Sequence, residues 1–169
     1  MPTLVHVNPI TLHAVQDLAR QCTASAAFYA AAACARGSGV LRRTCDELAR
    51  ARANQARVLT CHLRIHDMEP PAARVPTPSD AWDELHARFP TLDDLCLAAE
   101  ALRAEERLLR SYEALLPQTA GTELGSALHA QYSRARAART RLRETRDVLA
   151  AVRWPQATHG TPVSRAGQA

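Results

Sequence analysis

Leu12, Val15, Ala19, Cys22, Ala26, Tyr29 and Ala33 follow one another at alternating spacings of three and four. That rhythm predicts an amphipathic helix over about residues 9 to 36. Asn8 and Pro9 supply a cap oxygen and a first helical residue, and Gly37 supplies a stop. A second run, Leu41, Thr44, Leu48, Ala51, Gln55, Val58, His62 and Ile65, predicts a helix from about 40 to 68, ended by Pro70 and Pro71. The Gly37-Ser38-Gly39 link is so short that the two helices must form an antiparallel hairpin.

Beyond them, PPAARVPTPSD reads as a proline-rich crossing and DAWDELHARF as a short extra helix able to cover one end of the core. Thr91 and Asp94 resemble a capping box that opens a third long helix, about 92 to 116, before Pro117. Its seam has Leu95, Leu102, Leu109 and Leu116 in one row and Ala98, Glu105 and Tyr112 in the next. A fourth helix starts between Thr122 and Ser126 and runs to about 153, with Leu128, Ala135, Leu142 and Leu149 as its seam and Trp154 and Pro155 as its stop. The expectation is an all-α, four-helix up-down bundle over residues 1–154, with a polar tail over 155–169.

Composition supports this class. Alanine and leucine dominate the apolar content and only 4% of residues are aromatic, which favours helices packed closely side by side. The chain has no lysine, and its net charge of +4 is too small to identify a partner. Five cysteines, an odd number with no CxxC pair, lie within helical patterns, so reduced and packed thiols are expected. The start lacks a secretory signal and AAFYAAAACA is too short to span a bilayer, so the expectation is a cytoplasmic protein without a membrane partner.

Polar residues in the seams carry the chemistry. An unpaired buried charge costs several kcal/mol, so Glu105 needs a partner. Arg139, four residues after Ala135, is the expected one, because a guanidinium can meet a carboxylate with two parallel hydrogen bonds. Gln55 and His62 complete the expected core network of Glu105, Arg139, Gln55 and His62. His62 and His66 stand four apart and could share a metal, but two histidines in the last turn of a helix also suit its carbonyl end. The arginines of the fourth helix are interspersed with Glu144 and Asp147 and have no aromatic residues among them for base stacking, which argues against nucleic acid. The sequence has no Gly-rich phosphate loop, GxSxG, HExxH or ExxH.

DLARQC with Asp17, Leu18 and Cys22, then Tyr29, Ala32 and Ala33, then Glu105, Glu106 and Tyr112, and finally Gln131 and RTRLR, together resemble a bacterial ferritin-like family, the domain of unknown function 2383, over about residues 12 to 149. The resemblance implies a ferritin-like bundle and a stress-related role. Ferritin-like di-iron sites take a carboxylate from each of two helices and an acid with a histidine three residues on from each of the other two. By that resemblance Cys34, Val58 and Arg139 fall where two acids and a histidine would be, and only Glu105 is retained. The expectation is a non-catalytic bundle without cofactor, having a structural or protein-interaction role and alanine-rich faces suited to a homodimer. A rival reading is an iron-binding oxidoreductase or storage bundle using His62, His66, Glu100, Glu105 and Glu106. Another is a helical adaptor that binds an acidic partner through the fourth helix.

Overall fold

The computed structural model describes residues 7–36, 39–69 and 81–153. Among these, every regular element is a helix: α1 Pro9–Ala35, α2 Val40–Ile65, α3 Ala81–Arg88, α4 Asp94–Leu115 and α5 Glu123–Arg153, with 3-10 turns at Phe89–Thr91 and Pro117–Thr119. The proline-rich crossing, the Gly37 stop, the Trp154-Pro155 stop and the C-terminal tail lie outside the described residues.

Local chemistry sets the helix ends. Asn8 caps α1 by accepting the Ile10 amide at 2.9 Å, with Pro9 in the first helical position. The expected Thr91/Asp94 capping box does not form. Asp93 caps α4 instead, taking the Cys96 amide at 2.8 Å, while Thr91 belongs to the preceding 3-10 turn. Helix α2 ends three residues before the expected position. Met68 and Asp67 donate back to the Leu63 and Arg64 carbonyls, with Asp67 in the left-handed region at φ 55°. This reversal satisfies the last carbonyls of α2 and turns Met68 onto the core.

Helix α1 packs on α2 and α4, and α5 packs on α4 and α2. Cross-links fix the directions. Thr11 near the start of α1 bonds Gln118 just beyond the end of α4, and Arg139 and Tyr132 of α5 bond Glu106 and Glu113 of α4. Thr44 meets Thr145 at 2.8 Å while Gln55 meets Gln131, so α2 and α5 also run antiparallel. The apolar core falls into two clusters. One is built on Leu18, Leu59, Leu108 and Leu128, the other on Phe28, Leu48, Trp82 and Leu142.

The α4–α5 corner depends on Gly125. A Cβ at this position would overlap the Thr119 carbonyl oxygen and come within 2.8 Å of its carbon. Helix propensity alone favours alanine over glycine by about 1 kcal/mol. Overpacking against fixed backbone costs about 1–3 kcal/mol, so Gly125→Ala is expected to destabilise the protein on balance. Urea unfolding measures this, and a stabilised variant would show that the 117–119 turn yields freely.

Candidate functional site

Each of the four long helices sends polar side chains into the space between the two apolar clusters. Arg52 of α2 and Glu105 of α4 form an ion pair there, both side chains at 0% exposure. The guanidinium meets both carboxylate oxygens, through Nε to Oε1 at 3.3 Å and through Nη2 to Oε2. Tyr29 of α1 donates its hydroxyl to Oε1 at 2.9 Å. The remaining Arg52 nitrogen, Nη1, donates to Gln55 Oε1.

From Gln55 the network crosses to α5. Gln55 Nε2 donates to the Gln131 carbonyl at 3.3 Å and Gln131 Nε2 donates to the Gln55 carbonyl at 3.4 Å. Tyr112 of α4 donates to Gln131 Oε1 at 2.9 Å. With that proton committed, the Cys22 thiol, 3.6 Å from the Tyr112 oxygen, is the donor in its own contact. Every polar side chain in this chain of contacts is satisfied, which is the condition under which a buried polar network rigidifies a core and specifies one packing.

The electrostatics favour a permanent ion pair. Burial works against the charge on Arg52, but the Glu105 carboxylate, aided by Cys22 and Tyr29, outweighs it and holds the guanidinium pKa above its ordinary value. Burial, together with the Glu105 charge, pushes the Tyr29 hydroxyl well up, so it remains a donor. Such a centre can hold four helices in register. It contains no exposed nucleophile and no base with an open approach to solvent.

The expected partner of Glu105 is therefore corrected: it is Arg52, not Arg139. Arg139 lies on the α4 side of α5, where its Nη2 is 3.0 Å from Glu106 Oε1 and both side chains are more than a third exposed. His62 is also absent from the centre. It is half-buried, and Leu63 takes the adjacent core position. Of the four residues expected in the core network, the structure brings together Glu105 and Gln55. Tyr29, Cys22 and Tyr112 lie in the predicted seams, whose spacing alone assigns them no role, and Arg52 and Gln131 are not among the predicted seam residues.

The iron-binding alternative does not fit the residues present. Glu105 is taken by Arg52, Glu106 by Arg139 and Glu100 by Arg103 at 2.7 Å, while His66 caps the end of α2. Among the described residues, no group of three or more His, Cys, Asp or Glu side chains could hold a metal ion. A fixed guanidinium charge beside Glu105 opposes a cation there.

The five cysteines are free, with Cys22 and Cys45 buried and Cys34, Cys61 and Cys96 exposed. Burial raises the Cys22 thiol to about 11 and the Cys45 thiol to about 12, from an ordinary value of 9.0. Because the folded values are raised, their contribution to stability is complete below pH 9 and is lost as pH rises through 11 to 12. A thiol reagent at neutral pH is expected to modify Cys34 and Cys61 rapidly, Cys96 more slowly because its hydrogen bond to Asp93 holds the thiol protonated, and Cys22 and Cys45 only on unfolding. Rapid labelling of Cys22 in the native protein would contradict its placement in the network.

Fold and site together define an all-α protein with an ion-paired polar centre, and none of its described helices is long and apolar enough to cross a membrane. Compared with family models, with curated proteins and with solved structures, the chain matches none.

Proposed function

We propose that the protein is a non-catalytic, ferritin-like helical bundle with a structural or protein-interaction role, in which a buried ion pair occupies the position that a di-iron centre takes in metal-binding bundles. The helix directions support the ferritin-like part of this reading. Helices α1 and α4 are antiparallel, as are α2 and α5 and also α4 and α5, so α2 and α4 point the same way and need a long crossing between them. Ferritin-like bundles have one such crossover. The resemblance to the domain of unknown function 2383 belongs to the same proposal, as do a cytoplasmic location and assembly as a homodimer through alanine-rich faces.

The observation that carries the reading is the fully buried Arg52 guanidinium bonded to both oxygens of Glu105. A bundle built to store or use iron directs several carboxylates at its centre, whereas the one buried carboxylate among the described residues is neutralised by a side chain that cannot lose its proton. Iron loading of the purified protein under reducing conditions, followed by desalting and metal analysis, tests the proposal. Only trace iron is expected to remain. Stoichiometric retention abolished by Glu105→Gln would overturn it.

A further inference from the structure

Arg43, Arg50, Arg57 and Arg64 recur every seventh residue of α2, and all four are exposed. From Leu48 to His66 this helix carries no carboxylate. On the neighbouring helix, Arg141 reaches across to Glu47, and Arg134 sits one heptad earlier on the same side of α5. Among the described residues no carboxylate lies within ion-pair distance of Arg43, Arg50, Arg57, Arg64 or Arg134, unlike Arg36, Arg103, Arg139 and Arg153 elsewhere on the surface. Apart from the Glu47–Arg141 pair between Arg43 and Arg50, the row is thus a concentration of unpaired positive charge on one face of a molecule whose total excess is only +4.

The spacing indicates what fits the row. Seven residues rise about 10 Å along a helix, so the row extends about 30 Å. On a straight helix a seven-residue row drifts by about 20° per heptad, and a partner that follows it must wind with a left-handed crossing, as a second α-helix does. The row holds no aromatic side chain on which nucleic-acid bases could stack. Asn54 and Cys61 lie between the arginines, and Ala51 and Ala53 flank them, all exposed, so a helix backbone can approach closely.

We propose that the outer face of α2, with Arg134 of α5 beside it, docks an acidic α-helix of a partner protein. The partner helix places glutamate or aspartate at heptad spacing opposite Arg50, Arg57 and Arg64, where planar guanidinium groups take carboxylates in bidentate fashion. The inference does not depend on the buried centre and would survive a metal being found there.

The test uses the full chain and a synthetic helical peptide of about 28 residues, long enough to hold helix, with two glutamates per heptad in an alanine and glutamine background. Binding is followed by fluorescence anisotropy at low and at physiological salt. The peptide is expected to bind, to weaken as salt rises, and to lose about tenfold or more in affinity with the combined Arg50→Gln, Arg57→Gln and Arg64→Gln variant. Arg107→Gln with Arg110→Gln on α4 is expected to leave binding unchanged. Circular dichroism verifies folding of the triple variant, and if it is unfolded the three single variants must each show a graded part of the loss. No binding, binding indifferent to these arginines, or tighter binding of a DNA duplex of about 20 base pairs than of the peptide would each overturn the proposal.

Discussion

Arg52→Met is expected to lower the unfolding free energy by about 3–5 kcal/mol, because it leaves the Glu105 carboxylate buried with no charge to meet it. Glu105→Leu is expected to cost a similar amount, since it strands the Arg52 guanidinium and removes the acceptor for Tyr29. The two side chains belong to one layer of the core, so their effects will not add. Combining Arg52→Met with Glu105→Leu removes both charges at similar volume; Tyr29 and Gln55 each lose a hydrogen-bond partner, but no buried charge is left unmet. The double variant is therefore expected to be more stable than either single one. A coupling of less than about 0.5 kcal/mol in this cycle would mean that the pair does not interact.

Trp82→Ala is expected to be the other severe substitution, at about 3–5 kcal/mol. Helix α3 is only eight residues long and could not hold its shape alone. It is held by burial. Trp82 is 2% exposed, its ring centroid 5.5 Å from Phe28 and 5.3 Å from Tyr29, and Leu85 is buried beside it. Arg36, at the end of α1, fastens the segment after α3 by donating to the Phe89 and Leu92 carbonyls and pairing with Asp94 at 3.2 Å. Removing the indole opens a void against Tyr29, whose hydroxyl belongs to the polar centre, so the loss should reach Glu105. Hydrogen exchange is expected to show α3 and the central turns of α1 losing protection together. A loss confined to α3 and below about 1 kcal/mol would show that α3 is a loosely attached cover.

The helices were legible in the sequence because their apolar period is regular and, at α1, agrees with the cap. Asn8-Pro9 marked the start of α1, and the Leu128, Ala135 and Leu142 row of α5 is buried as its spacing required. The center was only half legible, and the reason is one of pitch. The predicted seam of α2 follows a 3.5-residue period, whereas the buried residues of α2 repeat at 11 residues in three turns, from Leu41 to Arg52 to Leu63. Over three turns the two periods separate by about half a residue, enough to replace Arg52 by Ala51 and Leu63 by His62. The signal was present, since Arg52 lies midway between two buried leucines, but an arginine on a helix is ordinarily assigned to solvent. Arg139 attracted the pairing because it follows Ala135 by one turn. That step leads to the α4 side of α5, where Glu106 waits. Gln131 is recognisable only once α2 and α5 are placed side by side, because its partner is the backbone and side chain of another helix.

The central claim is that a guanidinium, fixed by Glu105 and sealed from water, fills the middle of the molecule. Nitrogen-edited NMR of the arginine side chains tests it most directly, with the Arg52 Nε–H signal assigned by its absence in Arg52→Met. That signal is predicted to exchange slowly with solvent and to shift on Glu105→Gln while Arg139 is unaffected. An Arg52 Nε–H that exchanges as fast as those of the surface arginines, or is indifferent to Glu105→Gln, would contradict the account.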